Sequence, residues 1–302
     1  VSGWAWCCAC APAAGKYVIA YGLRSGGNYV RDVDVYDAGS WTSKADGVAP
    51  GRTGHRSATL SQKGYVFGGF EGTSPFNMTR NDEYVQSSDV WTTKTAMSAA
   101  KAYHSGCAAS GQAYAFAGYS DVNAQTFSDA TYQYDTGGDS WSTKASCPFP
   151  SRQLATAIEI GAKAYLICGI ALGGTIMSDN DEYDPSGNSW TAKTDCVSPA
   201  RHASSGFQIS SKGYITYGNL GGSYIRDTDQ YVPDTWTSKA DGPSPARWYQ
   251  AGAYYGGAGY ATGGQGSSGL LSDHSEFTPD VWATKITIPS PARQQLTSFE
   301  AA

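Results

Sequence analysis

One phrase recurs six times along this chain. It reads WTSKADGVAPGR at 41–52, WTTKTAMSAAK at 91–101, WSTKASCPFPSR at 141–152, WTAKTDCVSPAR at 190–201, WTSKADGPSPAR at 236–247 and WATKITIPSPAR at 282–293. The tryptophans that open it, Trp41, Trp91, Trp141, Trp190, Trp236 and Trp282, stand 50, 50, 49, 46 and 46 residues apart. A period this long, held in register over almost the whole chain, limits the fold to an array of like units.

Each unit carries further marks. A basic residue follows each Trp by ten or eleven positions: Arg52, Lys101, Arg152, Arg201, Arg247 and Arg293. An aromatic precedes it by five or seven: Tyr36, Tyr84, Tyr134, Tyr183, Tyr231 and Phe277. Upstream lies a short apolar run ending at glycine, as in GYVFGG (64–69), AYAFAG (113–118), AYLICG (164–169) and GYITYG (213–218). In one unit, RHASSGFQIS (201–210), KGYITYG (212–218), IRDTDQYV (225–232) and DTWTSK (234–239) read as four short strands separated by turn chemistry. A four-stranded sheet has two faces and cannot bury both alone. Stacking such sheets around an axis covers each face with the next, which makes each unit a propeller blade.

The unit resembles the kelch repeat: apolar run, Gly-Gly, spaced Tyr, Trp, then a basic residue opening the next inner strand. The resemblance spans essentially all of 1–302 and implies one domain, an all-β six-bladed kelch-type propeller with four antiparallel strands per blade. Only 68–69 and 263–264 keep the full Gly-Gly; the remaining pairs are Tyr-Gly, Ala-Gly, Cys-Gly and, at 218–219, Gly-Asn.

Two stretches compete for one place in the ring. Trp4–Ala13 and RQQLTSFEAA (293–302) both align with an inner strand. Either the first completes the opening blade, or the second closes the ring as a clasp. The surplus strand is then available to a neighbour by strand addition.

Composition narrows the partners. The net charge is −5 with no basic run, which argues against nucleic acid. No apolar run reaches the ~18 residues of a membrane span. The N-terminus lacks the basic and apolar regions of an intact signal peptide, so the chain is expected to be processed or part of something longer. The seven cysteines are expected to be small buried strand residues.

Function is less legible. The resemblance brings in galactose-oxidase-like copper enzymes and a sialic-acid epimerase, but His55, His104, His202 and His274 are the only histidines, and they are expected to be structural. No metal, cofactor or catalytic residue is assigned. The acidic stretches DNDEYD (179–184) and RDVDVYD (31–37) are expected to be solvated strand faces. The resemblance places the ring of Arg52, Lys101, Arg152, Arg201, Arg247 and Arg293 near the mouth of a central pocket, where guanidinium groups suit carboxylates. The alternative is that each bonds carbonyls or acids of its own scaffold. Trp248 and Tyr249, with Tyr103 nearby, are candidates to stack on sugar rings or to pack between blades. Asn77-Met-Thr79 is a sequon in a polar loop, hence a candidate glycosylation site. The leading expectation is a non-enzymatic extracellular module of a larger assembly, such as a fibre, appendage or surface layer, recognising protein or carbohydrate. The second is a carbohydrate-active enzyme of the oxidase or epimerase type.

Overall fold

The computed structural model describes residues 16–72, 77–148, 150–197, 199–289, 292–294 and 296–301. These residues form an all-β ring of six four-stranded antiparallel blades. Blade 2, for example, runs from the inside outward as Arg56–Leu60, Lys63–Phe67, Asn81–Val85 and Val90–Lys94. Blade 1 is composite. Its inner strand is Thr297–Ala301, which pairs antiparallel with Lys16–Arg24. The C-terminal strand is therefore the clasp, and the first alternative for closure is set aside. The stretch Trp4–Ala13 lies outside the described residues.

The six indoles are equivalent. Each lies half-buried on the outer strand and donates its Nε1–H to a backbone carbonyl of the preceding blade. Trp91 bonds Ala45 at 3.3 Å, Trp141 Thr95 at 2.9 Å, Trp190 Ala145 at 3.0 Å, Trp236 Thr194 at 2.9 Å and Trp282 Ala240 at 3.0 Å. The sixth bond, Trp41 to Ile286 at 3.1 Å, crosses the seam and closes the circle. The paired aromatic one strand inward packs on each indole, as in Tyr84–Trp91 and Tyr183–Trp190 with ring centroids 4.8 and 5.0 Å apart.

A second set of bonds joins the blades nearer the axis. After the second strand of each blade, two consecutive residues take left-handed backbone: Tyr21–Gly22, Gly68–Gly69, Ala117–Gly118, Cys168–Gly169, Tyr217–Gly218 and Gly263–Gly264. The Gly-Asn pair read at 218–219 is thus one residue out of register. The second position has no room for a side chain. At Gly118 a Cβ would stand 2.5 Å from the Cα and N of His104. Its amide N–H donates to Arg152 O at 2.9 Å, and the five equivalent glycines bond Arg52, Lys101, Arg201, Arg247 and Arg293 in the same way, each on the next blade.

The first position of the pair faces the residue six beyond each Trp, and the two share a fixed volume. Tyr21 meets Gly47, Gly68 meets Met97 and Tyr217 meets Gly242, so that a Cβ on any of these glycines would lie within 3.0 Å of its partner. In blade 4 both positions are cysteine, and Cys168 and Cys196 form a disulfide with Cα atoms 6.8 Å apart. The expectation that the cysteines are plain buried residues fails for this pair. It holds for Cys107 and Cys147, which are free and buried; Cys7, Cys8 and Cys10 lie outside the described residues. No helix is long and apolar enough to cross a membrane among the described residues.

Candidate functional site

The six basic residues lie inside the ring wall, each at most 1% exposed. Five are arginines paired with aspartates: Arg52–Asp82, Arg152–Asp181, Arg201–Asp229 and Arg293–Asp34, where the acid is buried, and, at 3.1 Å, Arg247 with the half-buried Asp273. Other guanidinium N–H groups reach carbonyls of the same blade, as Arg52 does to Val66 and Gly68 at 3.2 Å. Faces of Arg52 and Arg247 lie against Tyr21 and Tyr217 of the preceding blade, 4.6 and 5.0 Å from the ring centroids. In this arrangement the guanidinium groups bind the scaffold. The acidic stretches are corrected by the same pairs. Asp34 and Asp181 are 3% and 4% exposed, so they are counter-ions and not solvated faces. An ion removed from water needs such a partner, and this is why acid and base occur together in five of the six blades.

Directly after each basic residue the chain turns toward the axis. The residue two beyond it is left-handed at Gly54, Tyr103, Leu154, Ala203 and Tyr249. These five form a belt of amide bonds running from blade to blade: Tyr103 N–H to Gly54 O, Leu154 to Tyr103, Ala203 to Leu154 and Tyr249 to Ala203, at 2.8–3.2 Å. The sixth position, Gln295, lies outside the described residues. The side chains of Tyr103, Leu154 and Tyr249 are buried and fill the axis at this level. Tyr249 is therefore a plug.

The residue one beyond each basic residue pairs with the one following the left-handed turn: Thr53–Phe70, Ala102–Tyr119, Gln153–Ile170, His202–Asn219, Trp248–Gln265 and Gln294–Leu23. The backbone is six-fold here but the side chains are not. Above the belt, on the side of blades 3 to 5 and the opening segment of blade 6, lies an open cavity of about 500 Å³. Tyr103 and Leu154 line its base; Gln153, His202 and Trp248 come from the paired positions; Tyr119, Ile170, Asn219 and Tyr224 come from the loops beyond. The volume falls within the range of small-molecule sites.

Its walls are held in place. Trp248 stacks on Tyr224, with centroids 5.4 Å apart and an interplanar angle of 21°; it also lies against Tyr249 at 3.9 Å and edge-on to His202 at 6.0 Å. Gln153 Nε2 donates to Tyr119 OH at 3.0 Å. Asn219 Oδ1 accepts the amides of Gly221 and Gly222, both at 2.7 Å, which fixes the loop of blade 5. His202 is 4% exposed, and its Nδ1 has no hydrogen-bond partner among the described residues. Burial holds its pKa down to about 4, so the ring is neutral at pH 7.

The other histidines lie elsewhere. His55 and His104 are fully buried between blades, against Tyr21 and Phe67. His274 lies in blade 6 among Tyr17, Tyr36, Trp41 and Tyr260. Among the described residues no three His, Cys, Asp or Glu side chains gather as a metal set. Asn77 is half-buried, and its amide bridges to the blade 3 loop, donating to Tyr119 O at 3.3 Å and accepting from Val122 N at 3.2 Å. A sugar on Nδ2 would compete with the first of these bonds.

Sequence reasoning singled out Trp248 and Tyr103, which line the cavity, read His202 only as structural, and missed Gln153, Asn219, Tyr119 and Tyr224. The available signal was disagreement among the repeats. Thr53, Ala102, Gln153, His202, Trp248 and Gln294 occupy one repeat position and share no side-chain type except at the two glutamines.

No family model matches the sequence, and no curated protein does. Among solved structures, that of YjhT superposes with a TM-score of 0.76 at 18% identity, covering 91% of this chain and 96% of that one. The likeness establishes a shared propeller fold.

Proposed function

We propose that the chain is a kelch-type propeller serving as a non-enzymatic binding module outside the cell, and that its ligand, carried on a protein or a glycan, enters the cavity above blades 3 to 6. One observation carries this reading. A six-fold backbone is broken, at one mouth of the ring, by aromatic and amide side chains around about 500 Å³ of open space. Ligand sites of repeat folds form where loops differ, on a frame that does not. The Cys168–Cys196 bridge supports an oxidising compartment. The inner-strand-like stretch Trp4–Ala13, whose slot in blade 1 is filled by Thr297–Ala301, is the element such a module would offer to a neighbour in an assembly.

Ligand-observed NMR against a mixed set of free saccharides and short peptides tests the reading. The expected result is a hit that Gln153→Ala and Tyr224→Ala each weaken without lowering Tm by more than a few degrees. Hits indifferent to both variants would place binding elsewhere. Chemical conversion of a hit would make the protein an enzyme.

A further inference from the structure

The cavity contains no charge, and this restricts what enters it. Its thirteen lining residues are Tyr, Trp, Val, Leu, Ile, Gln, Asn, Gly and one His; no Asp, Glu, Lys or Arg is among them. The ion pairs Arg152–Asp181 and Arg201–Asp229, whose arginines directly precede the lining residues Gln153 and His202, neutralise each other within the wall. A charged ligand would leave water for a site with no counter-ion, at a cost of several kcal/mol. The polar groups present are of another kind. Gln153 is half-buried at the wall, the Asn219 carbonyl oxygen is spent on the Gly221 and Gly222 amides so that its Nδ2 donor remains, and His202 offers a buried Nδ1 with no partner among the described residues. Amide and imidazole groups beside the rings of Tyr224 and Tyr119 match a ligand with hydroxyl groups on its edges and C–H faces between them.

We infer that the cavity binds an uncharged pyranose, as a free sugar or as the end residue of a glycan. The inference rests on the proposed binding role and sharpens it. It separates the chain from recognition of sialic or uronic acids, whose carboxylate would find no counter-ion among the described lining residues.

The test is calorimetric or NMR titration of the whole chain with methyl glycosides of glucose, galactose, mannose and N-acetylglucosamine, against glucuronic and N-acetylneuraminic acids. At least one neutral glycoside is expected to bind, and the acids at least tenfold more weakly. Asn219→Asp keeps an oxygen for the two glycine amides while adding a charge, and is expected to weaken the neutral sugar at least tenfold and, because the position is buried, to lower Tm as well. Gln153→Glu provides a second, independent charge. Acids that bind as well as neutral sugars, with Asn219→Asp weakening both, would overturn the inference and leave the site standing. Failure of every saccharide would also overturn it. If no peptide in the broader screen then depends on Gln153 or Tyr224, the binding role falls as well.

Discussion

The ammonium of Lys101 lies 5.2 Å from the ring centroid of Tyr132, in the one blade where the basic position is lysine. Tyr132 occupies the position that Asp34, Asp82, Asp181 and Asp229 hold in four other blades, two residues before the packing tyrosine. The two exchanges occur together. In blade 3 the aspartate is absent and the guanidinium is replaced by a smaller cation that bonds Ala117 O at 2.7 Å and Ser128 Oγ at 3.1 Å; blade 6 has Ser275 at this position and keeps Arg247, paired instead with Asp273. Burial holds the Lys101 pKa down to about 8.

The pair is therefore expected to behave as a unit. Restoring the common motif with Lys101→Arg and Tyr132→Asp together should be more favourable than the sum of the two single changes by ~1–3 kcal/mol in urea unfolding. Strict additivity would show that the co-occurrence has no energetic basis. Asp181→Ala, which leaves Arg152 buried without its acid, should cost ~3–5 kcal/mol.

Blade 3 also lacks a bridge it has room for. Ala117 and Cys147 hold the places of Cys168 and Cys196. Ala117→Cys should yield a second disulfide, seen as the loss of both thiols on labelling under denaturing conditions. Burial pushes the Cys147 thiol up to about 11, so the bridge should form during oxidative refolding more readily than by oxidising the folded protein. Two persistent free thiols would contradict the equivalence of the two sites.

At Gly118 the backbone φ is +84° and a methyl would meet the backbone of His104. Gly118→Ala is expected to lose more than ~2 kcal/mol. Gly137→Ala, in an exposed turn with ordinary contacts, should stay within ~0.5 kcal/mol. Equal effects would mean that the glycine does not set the spacing between blades.

Acid should weaken the fold through its buried imidazoles. Burial holds His274 down to about 3 and His202 to about 4, whereas an unfolded histidine titrates near ~6.5. Between these values the unfolded chain binds more protons, so stability falls as pH drops from ~6.5 toward 3 and is unaffected by these groups above that window. Blades 2 and 4 carry asparagine at the position of His274, namely Asn81 and Asn180. His274→Asn should flatten the slope of stability against pH between 6 and 4; an unchanged slope would show that His274 is not part of the acid response.

Much of the fold was legible because the chain states it six times. Trp41 to Trp282 and their paired aromatics read as packing between blades, and they are. Closure was ambiguous, since two stretches matched one slot and only pairing of Tyr17 with Glu300 and Phe299 with Val18 resolves it. The acids misled. Alternation in DNDEYD usually marks one wet face, but a blade buries both faces, and Asp181 finds its partner 29 residues away at Arg152. The cavity was illegible for the opposite reason. It is built where the repeat fails, from loops of unequal length, so periodicity carries no information about it.

The central claim is that ligand meets the chain at the Trp248 wall and nowhere along the ring of repeat indoles. The most direct measurement is ¹⁹F NMR of 5-fluorotryptophan-labelled protein, titrated with neutral methyl glycosides, with the cavity resonance assigned by its disappearance in Trp248→Phe. The account predicts that this resonance shifts on binding while those of Trp41, Trp91, Trp141, Trp190, Trp236 and Trp282 stay in place. Movement of the repeat indoles with Trp248 silent, or no movement at saturating sugar, would contradict it.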